Sequence, residues 1–160
     1  MTKKPTKDPK RKQPAAVINR RARFDYELGQ NILAGMVLTG AKVRAVRDSR
    51  VHLKGAFVVI RNDELWLQNA SFSVKSSGND SDNVIDTSPV KLLVNKKELK
   101  ELTRARTDGY TIVPTKLLPS RRYIKVEIAI GKGKKSYDKR ETIKRRESDR
   151  EALRQMKGQR

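Results

Sequence analysis

The sequence has no cysteine and a single histidine, His52, in 160 residues. The first absence excludes a disulfide scaffold and any Cys-based zinc site. The second leaves almost nothing from which to build a His-based metal site or a nucleophilic triad. Carboxylates are few, 18 against 38 Lys and Arg, and lie singly or in the stretch at 80–86. No carboxylate pair, metal cluster or glycine-rich nucleotide loop therefore offers a catalytic constellation. No apolar run approaches the ~20 residues of a membrane-spanning helix, and the first residues lack the apolar stretch of a secretory signal. The expectation is a cytoplasmic, soluble protein that is not an enzyme and carries no cofactor.

Positive charge is what the chain has in excess, and it is unevenly placed. The formal net charge is +20 and the sequence pI about 10.5. Residues 1–23 hold nine basic and one acidic side chain, residues 24–130 hold 17 and 12, and residues 131–160 hold 12 and five. A near-neutral body between two basic arms is the charge distribution of a polyanion binder. The arms carry too few bulky apolar residues to insert into a lipid surface.

The length suits one domain of roughly 100–150 residues plus tails. Residues 1–16 combine three prolines with high charge, and such a segment cannot bury enough surface to offset its ordering entropy. A disordered arm over 1–18 is expected. A β-rich domain over 19–130 follows. Phe24, Tyr26 and Leu28 alternate with polar neighbours, predicting extended chain from Asn19 to Leu38. Residues 41–48 read as a short helix whose basic residues Lys42, Arg44 and Arg47 contribute to an RNA face. Ala56–Ile60 and Leu65–Leu67 flank a turn and predict a hairpin. Residues 73–89 read as a long polar loop. Val90 to Thr107 carries helical spacing, with Asn95 as N-cap and Glu98 completing a capping box. Tyr110–Val113 and Tyr123–Ile130 read as closing strands, with Ile124, Val126, Ile128 and Ile130 on one face and Lys125 on the other. Trp66, Phe57 and Phe72 read as core, and His52 as a hydrogen-bonded loop residue. Five to seven short strands with a helix inserted favour a mainly β fold, a small oligonucleotide-binding-like β-barrel with short flanking helices.

The candidate site residues are nearly all basic. Asn19, Arg20, Arg21 and Arg23 lead directly into the first strand, and positioned arginines grip phosphates bidentately. After the last strand, Lys132, Lys134 and Lys135 suit a phosphate backbone. Gly131 and Gly133 either relax the chain there or let it approach phosphates closely. Tyr137, alone in a charged stretch, suits stacking on one base, an interaction of roughly 1–3 kcal/mol. Asp138 is placed to cap a helix with Glu141 at its third position. That helix has only a sparse apolar stripe (Ile143, Ala152, Leu153, Met156) and is expected to form fully only against a partner.

Four pieces together resemble the SsrA-binding protein family, also called small protein B. They are Asn19-Arg20-Arg21-Ala22-Arg23-Phe24-Asp25-Tyr26; Ala34-Gly35 followed by Gly40-Ala41-Lys42-Val43-Arg44-Ala45-Val46-Arg47; Lys91-Leu92-Leu93-Val94-Asn95-Lys96-Lys97-Glu98-Leu99; and Lys125 through Arg140. The resemblance implies an oligonucleotide-binding-type barrel that cradles the tRNA-like domain of transfer-messenger RNA, adding Lys91 to the RNA contacts. It implies a basic tail over 131–160, helical on the ribosome, that lies in the decoding centre and the empty mRNA path of a stalled ribosome. Tyr137, Asp138, Lys139, Arg140, Ile143, Lys144 and Arg145 would meet the ribosome there, with Tyr137 stacking on a base of the small-subunit RNA. A monomer delivered together with elongation factor Tu is also implied. Two positions depart from the family pattern: Leu33 stands where an acidic residue is frequent, and Lys42 where glutamate is usual. The residues alone leave a second reading open, a basic ribosomal or ribosome-assembly RNA-binding protein without a transfer-messenger RNA partner.

Overall fold

The computed structural model describes residues 15–75, 83–120 and 122–158. Of the arm expected to be disordered over 1–18, residues 1–14 lie outside them. Six antiparallel strands close a ring. β9 (Thr111–Pro119) pairs with β10 (Ile124–Gly133), β10 with β2 (Tyr26–Met36), and β2 with β8 (Val90–Leu93). β8 then pairs with β5 (Glu64–Gln68) and β5 with β4 (Phe57–Arg61), which returns to β9 through Val58 opposite Ile112. β1 (Val17–Ile18) adds to the outside of β9. A second sheet joins β3 (Val51–His52), β6 (Ser71–Lys75) and β7 (Asn83–Asp86). Closing the sheet removes the unpaired edges that would invite aggregation. The ring encloses Ile32, Val58, Leu65, Leu67, Leu92, Ile112, Leu117, Val126 and Ile128, all buried.

Local chemistry accounts for most elements. Asn62 and Asp63, with φ of 49° and 56°, make the two-residue turn between β4 and β5, the left-handed pair that matches strand twist. α2 (Gly40–Arg47) starts at Thr39, whose hydroxyl accepts from the Lys42 amide. α3 (Lys96–Thr107) begins with the expected capping box, the Glu98 carboxylate accepting the Asn95 amide at 2.9 Å. It ends where Gly109 takes φ 84° and the Tyr110 amide returns to the Ala105 carbonyl. That is a Schellman-type stop.

Four sequence expectations need correction. Residues 20–25 form a helix, α1 (Arg20–Asp25), because Asn19 caps it: its side-chain oxygen accepts from the Ala22 amide. Residues expected in the long polar loop pair instead as β6 and β7, Phe72 opposite Asp86. Val90–Leu93 is a strand between β2 and β5, so the helical pattern begins only after it. Ile124, Val126 and Ile128 face the core and half-exposed Ile130 packs against it, as the alternation predicts, while Ala129 is buried outside that cluster. Opposite Ile130 lies a bulge in β2, whose partners jump from Asn31 to Leu28 across Ala129 and Gly131. The strands number ten among the described residues, more than the five to seven foreseen, because short pairs such as Val17–Ile18 carry no sequence signal.

The domain limits also move. Val17 and Ile18 belong to the sheet, and β10 runs three residues past Ile130. Gly131 is buried there, and a Cβ on it would lie 3.1 Å from the Tyr26 Cβ, whereas one on Gly133 would meet nothing within 4 Å. Gly131 thus answers to packing against β2.

Asn19 ties this end of the fold together. It is 6% exposed, and its amide nitrogen donates to the carbonyls of Leu53 and Pro114, each at 2.9 Å. The side chain expected at an RNA contact is thus spent on bonds inside the fold. Asn19→Ala is expected to destabilise the protein by about 1–3 kcal/mol in chemical denaturation, because it leaves buried carbonyls unpaired. Asn19→Asp keeps the capping oxygen but not the donor, and is expected to lose at least as much. Stability unchanged in Asn19→Asp would contradict this role.

Candidate nucleic-acid interface

Two basic surfaces sit at opposite ends of β10. Lys125 and Lys132 are separated along the strand by about 23 Å at the usual rise per residue.

The first is a groove of about 330 Å³ where β10 meets β2, β8 and α2. Its floor is apolar, including Met36, Leu38 and Val43, and Arg47, Arg122 and Lys125 stand around it. Tyr123, 66% exposed, is part of the wall. Sequence reading placed Tyr123 in a strand, but β10 starts at Ile124, so the ring lies in solvent beside two cations. The Arg121-Arg122-Tyr123 run was the available signal for it. Arg47 and Lys125 are thus brought to one groove. Arg44 is not with them: it lines a separate hollow with Asp48, Arg50 and Lys75. The Lys91 ammonium is engaged by the Glu64 carboxylate of neighbouring β5, an ion pair that competes with phosphate.

The two departures from the family pattern resolve differently. Leu33 faces outward directly opposite Glu127 of β10. Lys42 is 3% exposed and points inward. Its ammonium donates to the Ser88 hydroxyl at 2.7 Å and the Ser88 carbonyl at 3.0 Å, with Asp86 at 3.3 Å and the Phe72 ring 5.0 Å away. A hydrogen bond from Ser88, with the Lys42 charge behind it, holds Asp86 below its ordinary value. Lys42 therefore pins the β6–β7 hairpin to α2 and is no part of an RNA surface. Among the aromatics expected in the core, Phe72 is fully buried and Trp66 half-buried, but Phe57 is 41% exposed at the start of β4. It is the one corrected.

The second surface joins α1 to α4 (Ser136–Gly158), a helix of 23 residues. Asp138 lies in its first turn and accepts from the Lys135 amide at 3.1 Å, so the helix starts earlier than a cap at Asp138 would place it. The expected partner for this sparse amphipathic helix is supplied in part by the chain itself. The Lys139 ammonium lies 3.0 Å from the Asp25 carboxylate, which also accepts from Arg21 at 2.6 Å. The Lys134 amide donates to the Asp25 carbonyl, and its ammonium to the Arg23 carbonyl at 3.4 Å. Arg146, not foreseen, sits over the Phe24 ring at 5.7 Å, and Arg21 lies over the same ring at 5.3 Å. Partial burial opposes ionisation of Asp25, but hydrogen bonds from Lys139 and Arg21 outweigh it and hold the carboxyl below its ordinary value. Arg20, Arg23, Lys132, Lys135, Arg140, Ile143, Lys144 and Arg145 are exposed. Tyr137 is 64% exposed, and a hydrogen bond to Asp138, with that group's charge, raises its phenol pKa, so its ring is neutral at physiological pH. No helix among the described residues is long and apolar enough to cross a membrane.

A family model described as SmpB protein matches residues 16–158. The chain belongs to the SmpB family. SsrA-binding protein of Ligilactobacillus salivarius is 42% identical over 152 residues, covering 92% of this chain and 96% of its own. The SsrA-binding protein of Lactiplantibacillus plantarum is 44% identical over 140 residues, covering 87% and 89%. A solved chain described as "tmRNA-SmpB: a journey to the center of the bacterial ribosome" superimposes with a TM-score of 0.61 at 35% identity, covering 76% of this chain and 85% of that one. In this SmpB chain the root of the tail thus docks on α1, with Asp25, Arg23 and Phe24 all in contact with it.

Asp25→Asn is expected to speed amide hydrogen exchange in the first turns of α4 by up to about fivefold, the scale of exposed ion pairs. Docking lowers the Asp25 pKa, so its contribution is present above the ordinary value of 3.8 and lost as pH falls through the lowered value. Exchange in α4 that is indifferent to both the substitution and acid would contradict the contact.

Proposed function

We infer that this protein is the RNA-binding adaptor of trans-translation. It binds the tRNA-like domain of transfer-messenger RNA and brings it to ribosomes stalled on broken messages. The observation that carries this reading is a cationic groove on a closed β-ring in a chain matched by the SmpB model from residue 16 to 158. In the proposed mechanism the groove takes the folded RNA: Lys125 and Arg122 meet phosphates while Tyr123 packs on an exposed base or ribose. The exposed residues of α1 extend that contact. The tail then occupies the decoding centre and the empty mRNA path, with Tyr137 stacking on small-subunit RNA and Lys139, Arg140, Lys144 and Arg145 meeting its phosphates. Delivery with elongation factor Tu, a monomeric state and a cytoplasmic location complete the proposal. A basic ribosomal protein without this RNA partner is not favoured, since the relatives carry the name SsrA-binding protein.

Lys125→Ala is expected to weaken binding of the tRNA-like domain roughly tenfold or more, the loss of one charged hydrogen bond. It should also reduce the slope of log affinity against log salt by about one; an unchanged slope would remove Lys125 from the contact. A chain ending after Lys134 keeps all of β10 and is expected to bind the RNA while failing to support peptide tagging on stalled ribosomes. Full tagging by that shortened chain would contradict the tail mechanism. Tyr137→Ala should impair tagging far more than RNA binding, and equal loss in both assays would argue against stacking at the decoding centre.

A further inference from the structure

A second cleft, about 460 Å³, lies on the β9–β4 side of α1, away from the Lys125 groove. Its parts come from distant pieces of chain. A tight turn closes with the Ala56 amide on the Leu53 carbonyl at 3.1 Å, Gly55 adopting φ 75°. The Asn69 amide fixes that turn through the Gly55 carbonyl at 3.2 Å, which leaves Lys54 at its tip. Phe57 follows directly, its ring exposed at the start of β4. Arg106 reaches the cleft from the last turn of α3, and Arg21 and Asp25 from α1.

The charges facing the cleft are three cations and one carboxylate. Asp25 is already held by Arg21 and Lys139, while Lys54 and Arg106 make no ion pair with the described residues. Two exposed cations without an ion-pair partner among the described residues, beside an exposed aromatic face, fit a phosphate and a stacked base. The volume is that of a small-molecule-sized site. Phe57 is 41% exposed rather than buried with the core.

We propose that this cleft binds one unpaired nucleotide of an RNA strand, the base on Phe57 and its phosphate between Lys54 and Arg106. The proposal deepens the RNA-binding reading above and rests on it for the choice of an RNA strand as occupant. It gives the protein a contact on the side of the ring that the Lys125 groove leaves unused. None of the four family-resembling pieces contains Lys54, Phe57 or Arg106.

The test uses the isotope-labelled full-length protein, titrated by NMR with single-stranded tetra-adenylate and separately with AMP. Affinity for the tRNA-like domain is measured in parallel. Tetra-adenylate is expected to move the amides of Gly55, Ala56 and Phe57 saturably and at least tenfold more tightly than AMP. The pair Lys54→Glu and Arg106→Glu should weaken that binding tenfold or more, and Phe57→Ala roughly tenfold. Neither variant should change affinity for the tRNA-like domain more than twofold. Amides unmoved by tetra-adenylate would overturn the proposal. So would AMP binding as tightly, which would make this a free-nucleotide site, or an equal loss of tRNA-like-domain binding, which would merge the two surfaces. Cleft shifts that persist in a wild-type protein unable to bind the tRNA-like domain would support the cleft and overturn the adaptor reading instead.

Discussion

Backbone pairing of β10 with β2 on one side and β9 on the other supports both basic surfaces. Ten residues of one strand are held by two neighbours, so Lys125 at its start and the root of the tail at its end share one rigid axis. The bulge opposite Ile130 and the glycine at 131 are the local adjustments that let three strands stay in contact to the tail. A loop in place of the last turn of β10 would leave the tail's direction unspecified. The strand fixes where the tail starts, and the Asp25–Lys139 contact fixes the first turns beyond it.

Charge then sorts the surface. Several cations of the middle segment are committed internally: Lys42 to Asp86, Lys91 to Glu64, Lys116 to Glu127 at 3.6 Å, and Arg50 to Asp48. The exposed pairs among these, unlike that of buried Lys42, add at most about 1 kcal/mol each to stability. Their larger consequence is selection, because a paired ammonium is a poor phosphate ligand. Among the described residues, Lys125 and Arg122 beside the groove, Lys54 and Arg106 elsewhere, and much of the tail make no ion pair, and these cations are left open to a polyanion. This is why a body of modest net charge still presents localised positive fields.

The parts legible in the sequence were those decided by nearest neighbours. The Asn62-Asp63 turn, the α2 helix, the Asn95–Glu98 box and the two long closing strands all follow from residues a few positions apart. The family pattern, spread over four pieces, was legible for the same reason. What escaped depends on distant partners. Residues 20–25 look extended until Asn19 is seen to cap them while its amide grips carbonyls 34 and 95 positions away. Lys42 looks like a surface cation until Asp86 and Ser88 close over it. Phe57 alternates like a core residue, yet at the very start of β4 it stands 41% exposed. Tyr123 is exposed because the strand starts one residue later than its hydrophobicity suggests.

The central claim is that this chain recognises a particular folded RNA, and the most direct test is a competition at physiological salt. Full-length protein is bound to the tRNA-like domain of its own organism's transfer-messenger RNA and challenged with ordinary tRNA. The account predicts tight binding that excess tRNA does not displace. Equal affinity for both RNAs would contradict it and leave a basic RNA binder without a designated partner.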